Sequence, residues 1–343
     1  MVVGRPALDV PASLDAMVRA VRNLGRPGIA STAISAVDLA LWDLKAKLLD
    51  LPLCRLLGQV HAEVPLYGSG GFTSYDARRT TAQLARWVHE LEIPRVKIKV
   101  GESWGHREDR DLERIALARE VIGTDAELYV DANGGYTVGQ AVRMAGRFEE
   151  YDVRWFEEPV SSDDLAGLAE VRRRTPADVA AGEYGYDLPY FARIVGAGAV
   201  DCLQVDATRC GGVTEFLRAA AVAAAANLEV SAHCAPSLHA HPATAVPNLR
   251  HVEYFHDHER IDRLLFDGAL SPKGGALTPG PAAGGTAGSR VAGLIRPAPL
   301  HGKSIRYSRP YAVALCDVEP FSAREPLTPH TGRPRCTCAT LAR

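Results

Sequence analysis

LYVDANGGYTVGQAVRMAGRFEEYDVRWFEEP, residues 128–159, contains one complete strand–helix–strand passage with a carboxylate at the end of each strand. The apolar run LYV closes on Asp131, the stretch from Val138 to Tyr151 has helical length, and VRWF closes on Glu157. The pattern repeats further along the chain. Glu183 ends VAAGE, Asp206 ends CLQVD, His233 lies in VSAHC and Glu253 lies in HVEYF, at successive separations of 26, 26, 23, 27 and 20 residues from Asp131 onward. Each separation is about one strand plus one helix. Ionisable groups therefore fall at the C-terminal ends of successive parallel strands, where a (β/α)8 barrel assembles its active site.

Eight strand runs begin at Val64: VPLYGS, VKIKV, LYVDA, VRWFEE, VAAGE, CLQVD, LEVSAH and HVEYF. Between them the polar–apolar alternation predicts helices over Asp76–Glu90, Arg107–Ile122, Val138–Tyr151, Leu165–Arg173, Pro189–Val195 and Gly212–Asn227. Upstream, a helix over about Ser31–Leu49 is expected, capped by Ser31 or Thr32, with Ile34, Val37, Leu41, Leu44 and Leu48 as its apolar stripe. A shorter helix is expected at about Ser13–Leu24. Residues 1–63 thus read as a shortened, mostly helical capping region, and residues 64–280 as an α/β barrel of the TIM type. Residues 281–343, dense in Gly and Pro at their start, read as a loop-rich C-terminal segment.

The 343 residues carry 39 Lys and Arg against 41 Asp and Glu, a formal charge of -2, so no basic surplus favours nucleic acid or an anionic membrane. Small molecules are the expected partners. Asp9, Asp15 and Arg19 interrupt the N-terminus, and the Ala-rich run from Ala219 to Ala226 is far short of a membrane span. A cytoplasmic protein is expected. Seven cysteines form an odd set without a disulfide framework, and the CTC of Cys336 and Cys338 stands alone near the end.

Asp131, Glu157 and Glu183 offer three hard oxygen ligands on consecutive strands, a set suited to Mg2+. Without a cation, three carboxylates so close would repel and take up protons. Glu158 is a weaker choice than Glu157, because neighbouring strand residues face opposite ways. In VKIKV, Lys97 and Lys99 share one side of a strand, and mutual repulsion would lower their proton affinity until Lys99 serves as a neutral general base. Lys97 would then steady the substrate's carboxylate charge. Asp206 and His233, on neighbouring strands, suit a carboxylate-oriented imidazole. Glu253 is placed to hydrogen-bond developing oxyanion charge if it carries a proton or has a neighbouring donor. The histidines of HAHP, residues 239–242, are expected to do no chemistry. Together the parts describe removal of a proton α to a carboxylate.

With these residues in view, the chain resembles the enolase superfamily and, within it, the mandelate racemase subgroup of the mandelate racemase/muconate lactonizing enzyme family. The resemblance runs from about residue 28 to residue 280 through SAVDLALWDLKAKLLDLPLCRLLG, VKIKVG, VDANGGY, WFEEP, AGEYGYD, QVDATRCGGVT, SAHCAP and HVEYF. It implies Mg2+ on Asp131, Glu157 and Glu183, Lys99 and His233 as the two bases with Asp206 behind His233, and Glu253 near the stabilised enolate. It adds Lys97 as the electrostatic group beside the carboxylate and Asn133 as a polar substrate contact. It also implies a homo-oligomer that dehydrates a sugar acid to a 2-keto-3-deoxy acid. The alternatives are a racemase or epimerase of a 2-hydroxy acid and a catalytically weak, metal-binding structural homologue. The two ends depart from the family pattern: few residues precede the first strand, so the part that closes over substrate is expected to be missing, and the glycine-rich end does not lead into the usual final strand.

Overall fold

The computed structural model describes residues 2–285. Eight strands, β1 (Val64–Gly70), β2 (Arg95–Lys99), β3 (Glu127–Asp131), β4 (Val153–Glu157), β5 (Asp178–Ala181), β6 (Cys202–Val205), β7 (Glu229–Ala232) and β8 (Leu249–Phe255), pair in parallel and in chain order. β1 pairs with both β8 and β2, which closes the sheet into a barrel. A short ninth strand, β9 (Ala276–Leu277), runs antiparallel to β1 at Val64 and Pro65.

Alternation along each strand divides the side chains between two buried environments. On β3, Leu128 and Val130 face outward into the apolar layer beneath the helices, as do Val96 and Ile98 on β2. Fully burying such a side chain contributes about 1.5–3 kcal/mol. The inward positions form a separate layer in which Tyr67, Tyr129, Trp155, Ala180 and Cys202 fill the barrel. Two residues further along the same strands, the interior becomes ionic.

The helices match the expected spans to within three residues: Glu108–Ile122, Val138–Phe148, Leu165–Arg172, Leu188–Gly196 and Gly212–Ala225, with Ala77–Ala85 continuing as a wider turn through Glu90. Asp76, Asp164 and Asp187 cap three of them by accepting the backbone N–H three residues on. Two further helices, Pro236–Ala243 and His256–Leu265, follow β7 and β8. Neither was among the expected spans; the first has no clear apolar period and contains Pro242.

Before the barrel, helices span Val10–Ala20, Ile29–Leu48 and Leu53–Leu57, and no strand is found among the described residues 2–63. The Ile29–Leu48 helix departs from expectation on two points. Its cap position is Gly28, with φ 82°, while Ser31 and Thr32 lie inside the helix. Its fully buried face is largely polar: Ser31, Ile34, Ser35, Asp38 and Ala46, with Leu48 exposed at the end of the expected stripe. The reason is that this face meets the start of the Gly212–Ala225 helix through hydrogen bonds rather than apolar packing. Asp38 accepts from the Thr214 N–H at 3.1 Å and hydroxyl at 2.6 Å, and the Ser35 hydroxyl accepts from Gly211 at 2.7 Å. Trp42 Nε1 donates to the Thr214 hydroxyl at 2.9 Å.

Among the described residues no helix is long and apolar enough to cross a membrane. Of the expected C-terminal segment, only 281–285 are described; the remainder and the CTC of Cys336 and Cys338 lie outside the described residues.

Candidate active site

The ionic layer gathers the expected residues at the C-terminal mouth of the barrel. Asp131 ends β3, Glu157 ends β4, and Glu183 lies two residues beyond β5. All three carboxylates are buried, and one oxygen from each lies within 4.8 Å of the others. Glu183 reaches the interior because Gly182 adopts φ 133°; a Cβ there would stand 2.2 Å from the carbonyl oxygen of Gln204. Only glycine fits that approach.

Lys97 is enclosed by acids from three strands: its Nζ lies 2.5 Å from Glu157 Oε1, 2.9 Å from Glu253 Oε1 and 3.4 Å from Asp131 Oδ2. Lys99 pairs with Asp131 alone and is the more exposed of the two lysines. Burial opposes charge on both, but Asp131 holds Lys99 above the ordinary lysine range, and Glu157 and Glu253 do the same for Lys97. The expected mutual depression of the lysines is thus outweighed by the carboxylates between them. Burial likewise opposes ionisation of Asp131, and Lys99 and Lys97 outweigh it to keep its pKa low. Glu157 differs: burial and the neighbouring Asp131 push it up to about 8.

On the other side, His233 Nδ1 donates to Asp206 Oδ2 at 2.8 Å. The Thr208 N–H and hydroxyl both donate to Asp206 Oδ1 at 2.7 Å, which fixes the carboxylate. His233 Nε2 lies 3.2 Å from Glu183 Oε2, so the imidazole borders the carboxylate triad. Burial opposes its protonation, yet Cys234, Glu183 and Glu253 raise its pKa well above the ordinary histidine value. Glu253 is held ionised against burial, chiefly by Lys97 and His233, rather than carrying the proton that an oxyanion donor needs. The neighbouring donors the sequence left open are Lys97 Nζ and the Cys234 thiol, the latter 3.3 Å from Glu253 Oε2. Asn133 has a left-handed backbone, φ 43°; its N–H donates to Asp131 Oδ1 at 2.8 Å and its side chain is exposed.

Residues 79–286 match the enolase C-terminal domain-like family, and residues 1–58 match the mandelate racemase/muconate lactonizing enzyme N-terminal domain. The chain belongs to the mandelate racemase/muconate lactonizing enzyme family of the enolase superfamily. A mandelate racemase/muconate lactonizing enzyme-like protein from Rubrobacter xylanophilus is 52% identical with a TM-score of 0.77, over 81% of this chain and 76% of that one. L-talarate dehydratase from Polaromonas, solved with Mg and L-glucarate, is 31% identical with a TM-score of 0.76, over 85% of this chain and 79% of that one. The L-talarate/galactarate dehydratase of Salmonella typhimurium is 32% identical over 256 residues, 74% of this chain. The chain spans 63% of that relative's length. Further curated relatives of this family are dehydratases and cycloisomerases.

The donor set of the triad fits a hard divalent ion such as Mg2+ on its own chemistry. Three buried carboxylates converge with no neutral ligand among them, and Glu157 is raised by burial first and by repulsion from Asp131 second, the latter a cost a cation would relieve.

Of the other residues at the site, Glu158 was ranked below Glu157 in the sequence, and Arg209, Trp155 and His239 were not picked out as site residues. Glu158, with φ 37°, is buried rather than turned away, and its Oε1 has no hydrogen-bond partner among the described residues. Arg209 spans Glu183 and Asp206, 3.5 Å from a carboxylate oxygen of each. Trp155 Nε1 donates to Glu157 Oε2 at 3.0 Å, linking the aromatic layer to the ionic one. His239, from the dismissed HAHP, is wholly buried: its Nε2 accepts the Ala207 N–H at 2.9 Å and its Nδ1 donates to the Cys234 carbonyl at 2.8 Å. For Glu158 and Arg209 the only signal was closeness to a strand end, and His239, inside the Pro236–Ala243 helix, had none.

Proposed function

We propose that this chain is a Mg2+-dependent sugar-acid dehydratase of the mandelate racemase subgroup, acting as a cytoplasmic homo-oligomer. The observation that carries the reading is the order of groups around the mouth. The triad occupies β3, β4 and the end of β5, with Lys99 on β2 at one flank and the His233–Asp206 pair on β7 and β6 at the other. Two proton-transfer groups on either side of one carboxylate triad can divide the removal of an α-proton from protonation of a departing β-hydroxyl. The dehydratase relatives support the same chemistry.

In this reading Asp131, Glu157 and Glu183 hold Mg2+. Bound there, the ion would supply positive charge to the substrate carboxylate and would compete with Lys99 for the Asp131 charge that keeps the lysine protonated. Lys99 takes the α-proton from one face, or His233 does so once it has given up its own proton. His233, charged and steadied by Asp206, is suited to give a proton to the β-hydroxyl, which departs as water. The enol that remains becomes a 2-keto-3-deoxy acid. Lys97 neutralises the inner side of the site, Glu253 holds Lys97 and the turn at Cys234, and Asn133 offers its exposed amide to substrate hydroxyls. Residues 1–63 serve as the capping region and 64–280 as the catalytic barrel.

The test is a panel of mono- and diacid sugars with Mg2+, reading keto-acid formation by semicarbazide and α-proton exchange in D2O. A keto acid is expected. Exchange without keto acid would replace dehydration by epimerisation, which the same two groups support. Silence in both, with Mg2+ bound, would overturn the enzymatic reading in favour of the structural one.

A further inference from the structure

Beside the carboxylate triad the mouth contains a second group of ligand atoms with a different character. His233 Nε2, Cys234 Sγ and Glu253 Oε2 are all buried and lie within 4.8 Å of one another. The three separations are 3.3 Å from Sγ to Nε2, 3.3 Å from Sγ to Oε2 and 3.6 Å from Nε2 to Oε2. One nitrogen, one sulfur and one oxygen bound tetrahedrally to zinc stand about 3.4–3.6 Å apart, given Zn–N, Zn–S and Zn–O bonds of about 2.0–2.3 Å. The triangle approximates one face of that tetrahedron, with its two edges to sulfur slightly short.

The backbone delivers the thiol deliberately into this position. Cys234 and Ala235 both take left-handed φ, 54° and 39°, which costs a non-glycine residue about 1–3 kcal/mol. Three polar groups of the turn are gripped by side chains. The Cys234 N–H donates to Glu253 at 2.9 Å, the Ala235 N–H to His258 Nδ1 at 2.9 Å, and the Cys234 carbonyl accepts from His239 at 2.8 Å. A regular continuation of β7 would instead carry residue 234 to the helix side of the sheet.

We infer that His233, Cys234 and Glu253 form a second metal site, selective for a thiophilic divalent ion such as Zn2+, whose occupancy withdraws His233 from proton transfer. Binding displaces one proton from the Cys234 thiol and one from His233 Nε2 to solvent and forms S–Zn and N–Zn bonds; no electron is transferred. The two sites divide ions by ligand chemistry, since Mg2+ favours the all-oxygen triad and Zn2+ the mixed nitrogen, sulfur and oxygen set. Inhibition rests on the proposed role of His233; binding does not.

The experiment titrates Co2+, as a coloured stand-in for Zn2+, into the full chain with the triad saturated by Mg2+, and follows the near-ultraviolet thiolate-to-cobalt charge-transfer band. One equivalent is expected to develop the band. Zn2+ should abolish it, and Cys234→Ala should remove it while leaving the thermal shift produced by Mg2+ unchanged. Under the same conditions, Zn2+ should lower His233-dependent α-proton exchange at least tenfold in the parent chain and much less in Cys234→Ala. A band that survives Cys234→Ala and disappears in a Cys336→Ser, Cys338→Ser double variant would overturn the site, as would binding without any thiolate band. Should Cys234→Ala lose its Mg2+ response, Glu253→Gln gives the second reading: a band of unaltered strength and affinity would exclude Glu253 and the tripod with it. A normal band accompanied by undiminished exchange would overturn the inhibitory half alone.

Discussion

Two layers of the same barrel interior, one step of strand apart, behave as opposites. Tyr67, Tyr129, Trp155 and Cys202 make an apolar floor, whereas Lys97, Asp131, Glu157 and Glu253 make a dense ionic layer above it. Both are buried on all sides by the same strands. The difference lies in how each satisfies its polar atoms. The floor needs few partners, and the Tyr129 hydroxyl finds Glu127 at 2.7 Å towards the opposite barrel end. The ionic layer is tolerable only as a set, because removing one charge leaves its partners buried and unpaired. The floor also withholds water from beneath, so the charges above it interact strongly with one another and with any ligand.

The severest way to break this contrast is Glu157→Ala, which deletes one triad carboxylate and the 2.5 Å contact to Lys97. Mg2+ affinity is expected to fall more than about a hundredfold, with activity lost, as read by calorimetry and turnover. Next come Lys99→Ala and His233→Asn. Each should keep Mg2+ binding and reduce proton exchange from one face by about 10²–10⁴, measured by deuterium incorporation. Loss of metal in either would move that residue from the proton-transfer set to the structural one.

Trp155→Phe sharpens the comparison from below, since it keeps a ring in the floor but removes the 3.0 Å donor to Glu157. A loss of about 1–3 kcal/mol in unfolding stability is expected, with the barrel intact by circular dichroism.

Asp38 provides the control: a buried carboxyl with no metal triad and no lysine. Burial raises its pKa from 3.8 to about 7, partly offset by its bonds from Thr214. A carboxyl raised in the folded state favours folding below 3.8, and that contribution is lost as pH rises through about 7. Between those values the slope reaches about 1.4 kcal/mol per pH unit at most. Asp38→Asn should flatten this part of the stability–pH curve, and an unchanged slope would show that Asp38 is not its source.

What could be seen in advance follows the same division. A barrel announces itself because each strand must end on a group at a fixed remove from the last, and the regular steps from Asp131 to Glu253 made both the fold and the acidic ring visible. Helix limits were readable where amphipathic faces met the core, as in Leu188–Gly196 with Phe191 and Ile194 buried. They were less readable where a polar face is buried: the Ile29–Leu48 helix docks through Ser31, Ser35 and Asp38, and the start of the expected stripe, Ile34 and Val37, packs against Leu14 and Met17 instead. Glu158 was ranked below Glu157 on strand alternation, which ends at Glu157; the left-handed turn at Glu158 resets the facing. His239 escaped because its partners, Ala207 and the Cys234 carbonyl, are backbone groups 32 and 5 residues away that carry no sequence signal.

Those backbone partners have one more consequence. The N–H groups of Ala207, Cys234 and Ala235 sit in loops, where solvent hydrogen is ordinarily picked up quickly, yet each is donated to a side chain of the site: His239, Glu253 or His258. Their deuterium uptake should therefore be slow and should accelerate together when the site loosens. Three amides in the main chain can thus report the integrity of the site by mass or magnetic resonance, before any substrate is known.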